Sequence, residues 1–339
     1  MSDVTINTNT TSVTRASTDA GKERKPIVVG LDGSDESFAA LTWALREAHK
    51  TGDGIVAVFG WTPSWDVGGE PDTEEAWAQA REGIESQLRA WIDGAMSRLP
   101  FDAPSVTLTS VRSSGTTALL EIGRNSSQIV VGRRSLGRVA RWFLGSTSAS
   151  IAQEAQAPVT IVRIEDLADD VESQIGAALS PDAHSLKRLE AESILGEDRA
   201  LPVVVGIDGS EGSLGALNYA AQAASRDGTT LHVLYCWQTR DLRQVPGYEN
   251  AIPSLEAASR HAEEILAATV AKASIPEGVR VFQHAFHIPA AKGLLNASRY
   301  ASRLVVGSRG LSGFDAHFIG SVSRKVVDFA ECTVTVVHD

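Results

Sequence analysis

The residues best suited to chemistry lie near the end of the chain. Gly307-Ser308-Arg309-Gly310 is followed, after nine residues, by Gly320-Ser321, a G-x-x-G-x9-G-S spacing. A glycine at the end of a strand lets backbone approach a ligand with no Cβ in the way. A second glycine supports a turn whose N–H groups can converge on an anion. Gly320-Ser321 would open a helix, whose free N–H groups and positive dipole end favour phosphate. Ser321 can add a hydroxyl donor or simply cap that helix. Asp208 follows an apolar run about a hundred residues earlier. Its carboxylate suits a ribose hydroxyl or a phosphate-bound divalent ion such as Mg²⁺. A turn residue making local Asx hydrogen bonds is the competing reading, and the two roles can coexist.

The same constellation recurs in the first half with changes. Val29-Gly30-Leu31-Asp32-Gly33-Ser34 matches Val205-Gly206-Ile207-Asp208-Gly209-Ser210. Gly132 corresponds to Gly307, and Gly145-Ser146-Thr147 to Gly320-Ser321-Val322. Ser135 replaces the second glycine, although Gly137 could shift the turn. Arg133, Arg134, Arg138 and Arg141 make this loop basic. They either compensate by charge or pair with acids of the protein's own surface. Similarity at this spacing means two copies of one domain.

The elements that must position these residues alternate strand and helix. Ile27–Leu31 and Val203–Ile207 read as buried parallel strands. The next strands are read at Ile55–Phe59 and Leu231–Tyr235, then Ser105–Val111 and Val279–Ala285. Ile129–Val131 and Leu304–Val306 come fourth, and Val159–Val162 and Val334–Val337 last. The pattern predicts two tandem Rossmann-like α/β domains, each a five-stranded doubly wound parallel sheet with ligands at the carboxyl ends of its strands. The domains are expected at 25–164 and 201–339. Residues 1–24, polar and nearly free of large apolar groups, read as a flexible tail. The acidic stretch 165–200 reads as a solvated linker with some helix. The two last strands are edges that need covering, so the halves are expected to pair as an intramolecular pseudo-dimer.

Composition sets limits. The chain has 339 residues, a formal net charge of −11 and 43% hydrophobic residues, values of a soluble globular protein. An acidic chain without a basic stripe is a poor nucleic-acid binder. No apolar run suggests a membrane span, and no secretory signal is legible. Cys236 and Cys332 read as buried free thiols in a reducing cytoplasm. Metal-site spacings and a nucleophile elbow are absent. So is a P-loop lysine in either glycine loop, which argues against efficient phosphoryl transfer. Trp61 and Trp237 end the second strand of each half, as core anchors or at a pocket rim.

On these motifs both halves resemble universal stress protein domains, of the adenine nucleotide alpha hydrolase-like fold. The glycine pattern is that of the ATP-binding subgroup. The resemblance implies that Asp208 and Val233 meet the adenosine end of ATP, and that Gly206 lines the first turn. It implies that Gly307, Gly310, Gly320 and Ser321 hold phosphates, with Ser308, Arg309, Gly313 and Val322 nearby. In the first half the corresponding set is Gly30, Asp32, Ala57, Gly132, Gly137, Arg138, Gly145, Ser146 and Thr147. His287-Ile288-Pro289 stands where the family usually has Gly-x-Pro, which would narrow the second pocket. The resemblance further implies a cytoplasmic, non-enzymatic regulator of stress or dormancy. Such a regulator binds ATP, with Mg²⁺ as a candidate companion, forms a homodimer and has a protein partner. The alternatives are a nucleotide-independent, chaperone-like scaffold and a slow ATPase.

Overall fold

The computed structural model describes residues 9–13, 24–61, 73–97, 99–102, 104–133, 146–164, 201–238, 254–310 and 319–338. The linker 165–200 and the loop positions Gly137, Arg138, Gly145 and Gly313 lie outside them.

The first half runs β2 (Ile27–Gly30), α1 (Asp35–Thr51), β3 (Ile55–Gly60), α2 (Glu74–Met96), β4 (Val106–Val111), α3 (Gly115–Ile122), β5 (Gln128–Gly132), α4 (Ser146–Glu154) and β6 (Val159–Val162). The second repeats it as β7 (Val203–Ile207), α5 (Glu211–Asp227), β8 (Leu231–Trp237), α6 (Leu255–Lys272), β9 (Val281–His287), α7 (Ala290–Ala297), β10 (Arg303–Gly307), α8 (Ser321–Phe329) and β11 (Thr333–Val337). Each half is a five-stranded parallel sheet, ordered β4-β3-β2-β5-β6 and β9-β8-β7-β10-β11. β6 and β11 pair antiparallel, Thr160 opposite Thr335, and this joins the halves into one sheet. Each last strand is thereby the other's cover.

The local sequence sets the helix boundaries. Ser34 and Ser210 cap α1 and α5 by accepting from the Ser37 and Ser213 N–H groups, and Gly52 and Gly228 end them in the left-handed conformation, where glycine has no Cβ penalty. In the central strands residues alternate between two covered faces, as parallel sheets require. On one face a single core crosses both halves, from Val28 and Ile129 through Ile161 to Val334 and Leu304. On the other, α1 and α2 cover one cluster and α5 and α6 another.

Two elements differ from the sequence expectation. Asn9–Val13, inside the segment read as a flexible tail, forms β1, antiparallel to β4. A threonine-rich stretch lacks the apolar surface to order itself, but an open strand edge supplies backbone partners. The third strand of the second half lies two residues later than the apolar run suggests, at Val281–His287. This strand is only partly buried, and Phe286 is exposed.

A histidine pair bridges β8 and β9. His284 Nε2 and His232 Nδ1 are 3.2 Å apart, and both rings lie beside phenylalanines. Burial, helped by the neighbouring His284, pulls His232 down to about 4, and burial lowers His284 as well. A histidine lowered on folding stabilises the native state above its unfolded value near 6.5 and loses that contribution as pH falls toward its folded value. Thermal stability is therefore expected to drop between pH 6.5 and 4. His232→Phe should flatten that drop in melting curves recorded across the range.

The thiols are structural. Cys236 and Cys332 both carry thiols, and burial pushes the Cys236 thiol up to about 11, so it stays protonated and unreactive at neutral pH.

Candidate functional site

In the second half three segments meet at the carboxyl edge of the sheet. The first is the turn Asp208-Gly209-Ser210 after β7. Ser210 donates to Asp208 Oδ1 from its N–H (3.0 Å) and its hydroxyl (2.5 Å). This is the local Asx arrangement, and it engages one carboxylate oxygen. Gly209 sits at φ +85°, so the turn needs a residue without a Cβ penalty.

The second segment is Gly307–Gly310, leaving β10. The Ser308 N–H donates to the Val337 carbonyl at 2.7 Å, which ties the loop to the end of β11. Gly310 lies against the other oxygen of Asp208, so close that a Cβ on Gly310 would overlap Asp208 Oδ2. The third is Gly320-Ser321. The Gly320 N–H donates to the Ser308 carbonyl at 2.7 Å. Gly320, not Ser321, is the N-cap of α8 and supplies no side-chain cap bond. Ser321 is exposed at the first helical position, so of its two readings the cap falls away and the exposed hydroxyl stands. Val322 follows, half-buried.

Asp208, Gly307, Ser308, Arg309, Gly310, Gly320, Ser321 and Val322 thus cluster. Of the three other second-half assignments, Val233 and Gly206 do not join them. Gly313 is undescribed. Val233 is fully buried in the middle of β8, paired with Val205. Its backbone is enclosed by strands on both sides, four residues short of the strand's end. Ile207 pairs with Tyr235, so Tyr235, Cys236 and Trp237 are the β8 residues level with Asp208. Gly206 is a packing glycine, because a Cβ there would meet both Leu294 methyl carbons at 2.8 Å. His287 does not project across the loop but stacks on Trp237, ring centroids 4.4 Å apart. Trp237 itself is buried beneath α6 against Ala258 and Ala262, which makes it a core anchor.

The first half repeats the frame and fills the space. Ser34 bonds Asp32 Oδ1 through its N–H at 3.0 Å and through its hydroxyl. Ala57 is fully buried and pairs with Val29, so it too is away from the edge. A Cβ on Gly30 would meet a Leu119 methyl carbon at 2.8 Å. Ser146 and Thr147 open α4. Gly132 lies against the backbone and Cβ of Glu36, where the second half has Gly212, whose carbonyl is 3.0 Å from a Cβ placed on Gly307. The start of α1 therefore approaches Gly132 more closely than the start of α5 approaches Gly307. Arg133 is not free for a phosphate: its guanidinium donates to the Ala330 carbonyl at 2.6 Å and to that of Asp328, both in the other half.

Two residues not evident from the motif support the frame. Ser323 Oγ donates to the Gly307 carbonyl at 2.6 Å, and Ser148 Oγ to that of Gly132 at 3.1 Å. Each ties a helix start to a strand end. Their signal was a serine at the same place in both copies. Gly33 and Gly209 were legible only as repeated residues, yet both have positive φ. A Cβ on Gly33 would meet the Trp91 ring at 2.7 Å, and one on Gly209 would meet Ile265 at 3.2 Å. Gly33→Ala is expected to destabilise by about 1–3 kcal/mol and Gly209→Ala by less, read from denaturant midpoints.

Among the described residues, no group of three metal-ligating side chains occurs and no helix is long and apolar enough to cross a membrane. Fold and loops together define a duplicated Rossmann-like α/β protein whose second half brings Asp208, Gly310 and Gly320 to one edge of its sheet. The universal stress protein family model matches residues 23–163 and 201–338, and the chain belongs to that family. It is similar to a universal stress protein of Mycolicibacterium smegmatis, 31% identical over 92% of this chain and 96% of that one. It is also similar to universal stress protein Rv2623 of Mycobacterium tuberculosis, 26% identical over 94% of this chain and 98% of that one. A solved universal stress protein from Archaeoglobus fulgidus shares the fold over 92% of this chain and 98% of its own, with a TM-score of 0.57 at 19% identity.

Proposed function

We propose that the second half binds ATP, and that the chain is a cytoplasmic nucleotide-dependent regulator of stress or dormancy and not an enzyme of rapid turnover. The observation that carries this is the junction of Asp208, Gly310 and Gly320. A carboxylate oxygen, a loop glycine whose Cβ would fill the cradle and an uncapped helix N-terminus face one place. N–H groups and the helix dipole suit phosphate oxygens, and the carboxylate suits ribose or a phosphate-bound Mg²⁺. The fit is to a phosphate-bearing nucleotide. The missing P-loop lysine and nucleophile support binding over turnover. A regulator works through nucleotide only if its two states bind it with different affinity, which implies a partner that reads one state. With β6 and β11 already paired, a homodimer would use another surface.

One observation favours the nucleotide-independent scaffold. Arg133, which opens the first loop, is engaged by the Ala330 and Asp328 carbonyls of the other half, so this part of the duplicated frame serves as structure. Heat-denatured pure protein is expected to release adenine nucleotide, and added ATP with Mg²⁺ to raise the melting temperature. Neither effect appearing would favour the scaffold.

A further inference from the structure

Helix α8 begins at the candidate site of the second half and ends in the grip of the first half. Arg133 Nη1 donates to the Ala330 carbonyl at 2.6 Å, and Arg133 Nη2 to the Asp328 carbonyl. Arg163 Nη1 donates to the same Ala330 carbonyl at 2.8 Å. Two guanidinium groups thus meet the last carbonyls of α8, the end where cations are favoured and orphan acceptors need partners. The clamp is one-sided. Ser308 stands in the second half where the first has Arg133, and His338, at the place of Arg163, contacts the Ala152 carbonyl near the end of α4 at 3.0 Å.

Arg133 is itself held firmly. It follows Gly132 at the end of β5, and its N–H donates to the Val162 carbonyl at 2.8 Å. The clamp therefore refers α8 to the sheet of the other half. At its far end α8 is a rigid element of nine residues. It carries the Gly320 N-cap, whose N–H holds the Ser308 carbonyl, and Ser323, which holds the Gly307 carbonyl. A shift of the helix along its axis moves both contacts together.

We infer that Arg133, with Arg163, is a positioning residue for the nucleotide site of the other half: the first copy's glycine loop has become the anchor of the helix that carries the second copy's site. The inference rests on the ATP-binding reading above. It makes the duplication functional, since one half's loop sets the register of the other half's cradle. It also couples the halves. Whatever displaces Gly132-Arg133 alters nucleotide affinity about one helix length away, and by linkage nucleotide binding alters the exchange of the amides around Arg133.

The test uses the full chain and calorimetric titration with ATP and Mg²⁺. Arg133→Met keeps the stem and removes the charge. It is expected to weaken binding roughly 5- to 50-fold while Arg133→Lys restores most of the affinity. Glu47→Ala, which loosens the same interface elsewhere, is expected to leave affinity within about threefold despite a lower melting temperature. In wild-type protein, ATP should slow hydrogen exchange at Gly132 and Arg133 as well as at the start of α8. Affinity unchanged in Arg133→Met, or lost equally in Arg133→Lys and Glu47→Ala, would overturn the inference. Failure of wild-type protein to bind ATP would overturn the functional reading instead, so the two failures are distinguishable.

Discussion

Replacing Glu47 by alanine is expected to destabilise the chain by about 3–5 kcal/mol, because it strips the buried Arg303 guanidinium of its hydrogen-bonded carboxylate and leaves it the longer 3.7 Å approach to Asp227. Glu47 lies on α1 of the first half and is 2% exposed. Arg303 begins β10 of the second half and is 3% exposed. Arg303 donates to Glu47 Oε2 at 2.8 Å, and Arg226 at the end of α5 donates to Glu47 Oε1 at 3.1 Å. Lys50 and Asp227 close the group at 2.7 Å, and the Arg303 guanidinium sits 4.8 Å over the Trp43 ring. Burial pushes the Glu47 carboxyl up, but Arg303, Arg226 and Lys50 outweigh it and hold it below the usual carboxylate range.

The pairing carries a sign. A carboxylate lowered on folding contributes stability above its unfolded value near 4.5, and that contribution is lost as pH falls through the folded value. The Glu47→Ala deficit should therefore be full at pH 7 and shrink in strong acid. For a chain of this size a loss of 3–5 kcal/mol lowers the melting temperature by roughly 4–7 °C. Glu47→Leu combined with Arg303→Met should recover most of it, since a well-packed apolar pair replaces a buried ion pair at little cost. A Glu47→Ala melting temperature equal to that of wild type would show that the network does not hold the halves together.

The second large effect is expected at Gly310. Its missing Cβ is the space occupied by Asp208 Oδ2. Gly310→Val must displace either the carboxylate or the loop. Nucleotide affinity should fall at least tenfold, about 1.4 kcal/mol. Stability should change by less than about 1 kcal/mol, because the loop is partly exposed and outside the core. Gly132→Val, in contrast, would strike Glu36 and α1 and lower stability, and any loss of affinity it brings should arise indirectly, through displacement of Arg133. Titration and thermal melts on the two variants separate the roles of the two loops.

The fold was legible because each half repeats the same buried strands and capped helices. Ser34 and Ser210 stand at helix starts, Gly52 and Gly228 at helix ends, and apolar runs lie between. The loop of the second half was legible for a similar reason: glycine and aspartate have few other reasons to recur at a strand's end. What could not be read was register. β8 is a continuous run from Leu231 to Trp237, and nothing in it marks which residue reaches the carboxyl edge. Only the pairing of Ile207 with Tyr235 does so, and it moves the edge past Val233. In the same way Gly30 and Gly206 look like ligand glycines but leave room for Leu119 and Leu294. The interface between the halves was hidden for another reason. Glu47 reads locally as one acid on an amphipathic helix, and Arg133 as one of several loop arginines. Their partners are nearly two hundred residues away or more, and only the antiparallel joining of β6 to β11 brings them together.

One half of the duplicated frame is proposed to bind nucleotide while the other supports it. Calorimetric titration of the full chain with ATP and Mg²⁺ tests it most directly. One site per chain is expected, lost in Gly310→Val and retained in Asp32→Ala. Zero or two sites in the wild-type chain, or one site that survives Gly310→Val, would contradict it.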